Sequence, residues 1–117
     1  MTEATLSLGV RRIEESACIL DIEGDITAFS EEALMDAYTD GTGDGVKTVI
    51  LNFTGLEYMN SGGIGLLVTV LVRANRAKQK LLAFGLTEHY HEIFELTRLD
   101  EAIGIYATEA DALAAAA

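Results

Sequence analysis

The strongest constraint on the fold is a short apolar run near the middle of the chain. Val49, Ile50 and Leu51 follow one another without interruption inside the segment 46–53. Such a run is typical of a β-strand that is covered on both faces, as in the parallel sheets of α/β proteins. We therefore predict a central strand over residues 46–53, with helices packed on the sheet that contains it.

Two segments near the start of the chain alternate apolar with polar residues. They cover residues 5–13 and 17–23, and a short polar link joins them. The alternation predicts two strands, and the short link predicts that they form an antiparallel hairpin. We expect Gly24 and Asp25 to end the second strand. Cys18 is the only cysteine of the chain, and we interpret it as a small buried side chain without a redox role.

Helices and short strands alternate in the rest of the chain. A serine oxygen can accept a hydrogen bond from an unpaired backbone amide at a helix start, so we expect Ser30 to cap the first helix. The longest helix is expected to bury one stripe of side chains, which is formed by Ile64, Leu67, Val68 and Leu71. The predicted helices cover 30–40, 61–77, 87–96 and a segment from 108, and the predicted later strands cover 81–84 and 103–106.

These elements together predict an α/β domain built on a mixed β-sheet. The first strand pair is expected to be antiparallel and the later strands parallel, with about four α-helices. The length of 117 residues suits a single domain spanning 1–117. Because the chain ends in an alanine-rich stretch, we expect residues 113–117 to fray.

The charge of the chain limits its partners. Nineteen acidic and eight basic residues give a formal net charge of −11 at pH 7. Such a surface repels nucleic-acid phosphates and anionic lipid headgroups, so we predict neither nucleic-acid binding nor membrane insertion. No apolar run approaches the roughly 20 residues that a membrane span requires. Residues 1–9 also lack the features of a signal peptide, so we expect a cytoplasmic protein. The sequence makes no prediction of the oligomeric state.

The segment between the central strand and the longest helix is the candidate functional site. Asn60 is the expected N-cap, which places the hydroxyl of Ser61 in the first turn, near the positive end of the helix dipole. Gly62 and Gly63 follow, although a glycine inside a helix costs about 1 kcal/mol relative to alanine. They indicate either an exposed backbone that receives a phosphate or close packing against the sheet, and the residues alone leave both readings open.

This segment resembles the signature of STAS domains, specifically those of the bacterial anti-sigma factor antagonists. The resemblance runs over residues 49–67 and continues through 24–27 and 94–100, so it covers nearly the whole chain. In that family the helix typically starts with Asp-Ser-Ser-Gly, and a kinase that is itself the anti-sigma factor phosphorylates the first serine. By position, the resemblance implies that Ser61 is phosphorylated.

Two residues depart from the family pattern. Asn60 stands where the family usually has aspartate, which keeps the capping geometry but removes a charge that a kinase would meet. Gly62 stands where the family often has a second serine. Its presence removes the alternative acceptor and leaves Ser61 as the implied phosphorylation site.

The resemblance implies that the chain is an anti-sigma factor antagonist in a partner-switching pathway. The unphosphorylated form would bind an anti-sigma factor serine kinase, which supplies the ATP site, and thereby release a sigma factor. Phosphorylation of Ser61 would block binding, and a serine phosphatase would restore it. No cofactor, metal or catalytic residue is expected, and the chain is not expected to be an enzyme. The implied partner-binding residues are Asp25, Thr27, Ser30, Tyr58, Met59, Asn60, Ser61, Gly62, Gly63 and Ile64.

Other functional readings of the sequence are weaker. Residues 41–48 approach a phosphate-binding P-loop, but Val46 replaces a required glycine and the segment leads into a strand. His89 and His91 are two residues apart and cannot share a helix face, so we expect them to be solvated rather than to bind a metal or act as catalytic bases. The main alternative is a STAS docking module of a stress-signalling or transporter complex that works without phosphorylation.

Half of the basic residues cluster at the end of the longest helix. They are Arg73, Arg76, Lys78 and Lys80. Cations favour a helix C-terminus, which explains the cluster without a partner, although contact with an acidic partner is the functional alternative.

Overall fold

One mixed sheet organises the chain. The computed structural model describes residues 6–43 and 45–116, and its five strands lie in the order β1-β2-β3-β4-β5. β1 pairs antiparallel with β2, and the pairs from β2 to β5 are parallel. This arrangement confirms the predicted fold class. The strands are Leu6–Ile13, Ala17–Ile26, Thr48–Met59, Lys80–Phe84 and Gly104–Tyr106.

Helices cover the sheet on both faces. The described residues form four α-helices, α1 to α4, at Glu31–Gly41, Ser61–Arg76, Glu88–Leu96 and Glu109–Ala116. The larger core joins the sheet to the first three helices through Leu20, Leu51, Leu34, Leu67 and Phe94. The smaller core lies on the other face, where α4 covers Ile19, Ile50, Leu82 and Phe84. Consecutive residues of β3 therefore enter opposite cores, as predicted for a strand buried on both faces.

Two strands extend further than the sequence predicts. β2 continues through Gly24 and Asp25 to Ile26, and β3 continues past Phe53 to Met59. The two strands pair along this whole extension, with register shifts on either side of Gly24, whose φ is +104°. Because hydrogen bonding to a neighbouring strand outweighs weak local preference, the predicted end at Gly24 and the predicted loop after residue 53 are wrong.

The buried face of α2 differs from the predicted stripe. Leu67 is buried as expected, but Val68 is 41% exposed. Ile64 and Leu71 lie at the partly buried margin of the core. The fully packed positions are Gly63, Leu66, Leu67, Val70 and Ala74. Close contact of Gly63 with the ends of β2 and β3 sets the rotation of the helix and turns Val68 outward.

The C-terminal segment forms a helix that packs on the sheet, and the predicted fraying of residues 113–117 stays a prediction. α4 reaches Ala116, and Leu113, Ala115 and Ala116 pack against the smaller core. Arg11 of β1 binds Asp21 of β2 at 2.6 Å and Glu109 of α4 at 2.8 Å. These contacts fasten the helix to the sheet. Residue 117 and residue 5, the predicted start of β1, lie outside the described residues.

Cys18 lies in the larger core and has no exposed surface. Burial raises the pKa of its thiol to about 11. The prediction of a small buried side chain is confirmed. In the described part of the chain, no helix is long and apolar enough to cross a membrane.

Candidate functional site

The site lies where β2 and β3 end side by side. Ile26 pairs with Met59 in the parallel register. The backbone N–H of Asn60 then donates to the carbonyl oxygen of Ile26 at 3.3 Å. Beyond this point one chain segment enters the 3₁₀ turn Ala28–Ser30 and the other enters α2. The segment before α2 therefore meets the segment that contains Asp25, Thr27 and Ser30, the other residues that the family resemblance implies for partner binding, at one edge of the sheet.

Asn60 caps α2 as predicted. Its backbone is extended, and its side-chain oxygen accepts a hydrogen bond from the backbone N–H of Gly63 at 3.0 Å. Ser61 is the first helical residue and is exposed. α2 has 16 residues and no acidic residue in its first turn, so the partial positive charge at its start is not neutralised by a side chain of the helix.

The two glycines of the first turn serve close packing. A Cβ atom on Gly62 would lie 2.9 Å from both Cβ and N of Ala28. A Cβ atom on Gly63 would collide with the carbonyl oxygen of Ile26 and lie 2.8 Å from Cγ of Met59. Of the two readings that the sequence left open, the structure supports packing against the sheet. The first turn of α2 thus rests directly on the end of β2 and on the 3₁₀ turn.

Thr27 and Ser30 fix the shape of the 3₁₀ turn. The hydroxyl of Thr27 accepts from the backbone N–H of Phe29 at 3.2 Å. The hydroxyl of Ser30 accepts from the backbone N–H of Thr27 at 3.0 Å, and it lies 3.4 Å from the carbonyl oxygen of Asp25, to which it donates. Ser30 makes no side-chain hydrogen bond to the start of α1. The predicted cap of α1 by this hydroxyl is wrong, because the preceding turn already uses it.

The ten predicted partner-binding residues separate into three layers. Tyr58 and Ser61 are exposed, with Tyr58 at 50%. The half-buried residues are Asp25, Asn60, Gly62 and Ile64, and the buried residues are Thr27, Ser30, Met59 and Gly63. The buried four support the surface from beneath, since the backbone turn and the contact between helix and sheet need them there. The partner-binding role of all ten residues stays a prediction.

Sequence reasoning missed three exposed apolar side chains, those of Phe29, Val68 and Val72. Phe29 is 95% exposed and follows Ala28, which touches the first turn of α2. Val68 and Val72 are each 41% exposed and lie on the helix face that carries Ser61. The sequence did contain a signal that Phe29 is exposed. Phe29 stands between Thr27 and Ser30, in a segment without the apolar periodicity of a helix or strand that buries an aromatic ring.

The weaker candidate segments have the local structure that the sequence predicts. The P-loop-like segment leads into β3 at Thr48, and His89 and His91 are exposed, both as predicted. No cluster of metal-binding side chains occurs among residues 6–43 and 45–116. The arginines of the basic cluster lie at the end of α2 opposite Ser61, about 18–22 Å along the helix axis at 1.5 Å per residue. Contact with an acidic partner there stays an untested alternative to stabilisation of the helix end.

The chain belongs to the STAS domain family, because the model of that family matches residues 10–112. A relative, the anti-sigma-B factor antagonist of Staphylococcus aureus, is 26% identical over 80 residues, or 68% of this chain and 74% of that protein. The crystal structure of an anti-sigma factor antagonist from Mycobacterium paratuberculosis superposes with a TM-score of 0.81 at 19% identity, covering 96% of this chain and 94% of the other.

Two further solved structures share the fold. The Bacillus cell fate determinant SpoIIAA in its phosphorylated form gives a TM-score of 0.69 at 17% identity, covering 95% of this chain and all of the other. A sulfate transporter family protein from Wolinella succinogenes gives 0.76 at 18% identity, covering 90% and 87%. The fold is thus common to proteins with different names, so the function must be argued from the site.

Proposed function

We propose that this chain is an anti-sigma factor antagonist whose binding to its partner is controlled by phosphorylation of Ser61. One observation carries the proposal. Ser61 presents an exposed hydroxyl at the start of a 16-residue helix that has no acid in its first turn. The family and its anti-sigma factor antagonist members support the assignment, as does the relative that is known in a phosphorylated form.

A phosphate on Ser61 would be tolerated by the domain itself. It adds a charge of about −1.5 to −2. A negative group at a helix start is favoured by about 0.3–1 kcal/mol when exposed. Because the side chain of Ser61 is exposed, a phosphate on it would extend into solvent, and the fold should be retained.

The same phosphate would disfavour a docked partner. Phe29 and Tyr58 are exposed in the two segments that meet at the start of α2, and a partner docked there would cover their rings with apolar groups. Placing a doubly charged group in such an interface costs desolvation and excludes close contact. We expect the affinity to fall by about 5- to 150-fold, the usual range of coupling between two sites.

The proposed partners follow from this mechanism. The unphosphorylated chain binds an anti-sigma factor serine kinase, which contributes the ATP site, and the sigma factor is released. A serine phosphatase reverses the modification. The chain itself is a non-enzymatic binding module that needs no cofactor, and it acts in the cytoplasm.

The proposal is tested by peptide mapping and mass measurement of the chain isolated from its native cells with phosphatase inhibitors present. We expect a gain of about 80 Da, one phosphate, on the peptide that contains Ser61. Ser61→Ala in the same cells is the control and should show no gain. Absence of phosphate from the wild-type chain under several growth conditions would refute the proposal.

A constitutive docking module is the second candidate. The likeness to a transporter family protein and the neutral Asn60 before Ser61 favour it. It predicts that partner complexes form equally well with wild-type chain and with Ser61→Asp. The phosphorylation mechanism predicts instead that Ser61→Asp binds weakly while Ser61→Ala binds and no longer responds to ATP.

A further inference from the structure

The end of β3 lacks a strand neighbour on one side. β3 has 12 residues and β4 has five, and their pairing ends at Asn52 and Phe84. Beyond Asn52, β3 continues to pair with β2 alone, up to Met59. Backbone groups on the open side must find other partners, because a buried unpaired N–H is costly. The last residue of β3 stands directly before the candidate site.

Tyr90 supplies the missing partner. The backbone N–H of Met59 donates to the hydroxyl oxygen of Tyr90 at 2.9 Å. Met59 is 5% exposed and Tyr90 is 8% exposed, so water has little access to this hydrogen bond. The hydroxyl thus accepts the hydrogen bond that a backbone carbonyl of a longer β4 would accept.

The ring of Tyr90 is itself held in place. Its backbone N–H donates to the hydroxyl of Thr87, the N-cap of α3, at 3.4 Å. One turn later Phe94 is fully buried and meets Phe53 of β3 edge to face, with ring centroids 6.0 Å apart. α3 therefore contacts β3 at two places, and this fixes where the hydroxyl of Tyr90 lies.

Met59 connects the position of Tyr90 to the start of α2, because its side chain contacts the first helical turn. A Cβ atom on Gly63 would lie 2.8 Å from Cγ of Met59, so the side chain of Met59 lies directly beneath the first helical turn. The next residue is the cap, Asn60, and Ser61 follows. A displacement of Met59 would move both.

We infer that Tyr90 is a positioning residue for the Ser61 site. It fixes the end of β3 through the Met59 amide and thereby holds the cap and the first turn of α2. The functional part of this inference rests on the proposed phosphorylation of Ser61, whereas its structural part does not.

Tyr90→Phe tests the inference by removing one oxygen and keeping the ring. Tyr38→Phe is the matched control, because the hydroxyl of Tyr38 also makes one side-chain hydrogen bond, to Gln79 at 2.7 Å, beyond the other end of α2. The measurement is amide hydrogen exchange, resolved at Met59, with Ile50 as reference. We expect exchange at Met59 to become about tenfold faster in Tyr90→Phe, the loss of one net hydrogen bond, and to stay unchanged in Tyr38→Phe.

Equal exchange at Met59 in Tyr90→Phe and in wild type would overturn the inference. If Tyr90→Phe does not fold, exchange in the wild-type chain tests the hydrogen bond instead. The inference requires the Met59 amide to exchange as slowly as the paired amides of β3. Fast exchange there in the folded wild type would also overturn it.

The functional part has a separate measurement. Wild type, Tyr90→Phe and Tyr38→Phe are incubated with native cell extract and ATP, and the initial rate of phosphate gain at Ser61 is followed by mass. We expect the rate to change several-fold in Tyr90→Phe alone. An unchanged rate with altered exchange would refute the positioning of Ser61. A wild-type chain that gains no phosphate would instead refute the proposed function and leave the exchange result standing.

Discussion

At the scale of single residues, the position of Ser61 explains how a charge could be added without unfolding the domain. The side chain of Ser61 is exposed. Its neighbours hold the start of the helix in place, because Asn60 caps the helix and Gly63 packs against the end of β2. The modifiable group and the structural groups are thus different residues, even though they are adjacent in sequence.

Ser61→Asp should therefore leave the fold intact and stabilise it slightly. A carboxylate in the first turn interacts favourably with the positive end of the helix, by about 0.3–1 kcal/mol in the free energy of unfolding. Urea denaturation at low salt measures the effect, and Ser61→Asn is the neutral control of similar size. The gain should shrink at high salt. A less stable Ser61→Asp would show that Ser61 is more tightly packed than its exposure indicates.

At the scale of elements, the first turn of α2 packs closely on its neighbours because two of its residues are glycines. Gly62 and Gly63 touch the end of β2 and the 3₁₀ turn, whereas Gly65 has no heavy atom within 4 Å of the position of a Cβ atom. The three glycines lie in one helix but meet different surroundings, so the same substitution should have opposite effects.

Gly63→Ala should destabilise the domain, and Gly65→Ala should stabilise it. The first places a methyl group against the carbonyl oxygen of Ile26, and overpacking of this kind costs about 1–3 kcal/mol. The second relieves the entropic cost of a helical glycine, about 1 kcal/mol or somewhat less. Thermal unfolding of both variants measures the difference. A destabilising Gly65→Ala would mean that the exposed face of α2 is covered in solution.

The element scale also shows how far the sequence could predict the structure. The apolar runs and capping residues predicted α2, its cap at Asn60 and the succession of strands and helices along the chain, because these depend on local pattern. The extension of β3 to Met59 and the rotation of α2 depend on contacts with β2, which is distant in sequence. Tyr90 was missed for the same reason, because its hydrogen bond joins residues 31 positions apart.

At the scale of the whole molecule, the sequence could not predict which residues of the candidate site are buried and which are exposed. The sequence and the family resemblance brought the ten residues together, and the structure places them at one edge of the sheet. The sequence alone could not distinguish the exposed Tyr58 from the buried Met59 beside it, because both stand where a loop was expected. Burial follows from the assembled layers of helix and sheet, and no local pattern encodes it at this position.

The complete burial of Cys18 has a practical consequence for measurements on the molecule. With no exposed surface and a thiol pKa of about 11, the native cysteine should not react with maleimide dyes at neutral pH until the domain unfolds. A colorimetric thiol assay with and without denaturant checks this directly, and reaction of the folded wild type would contradict it. Phe29→Cys would then accept a single dye, with the native cysteine left in place. The fluorescence of that dye would report the arrival of any protein beside Ser61.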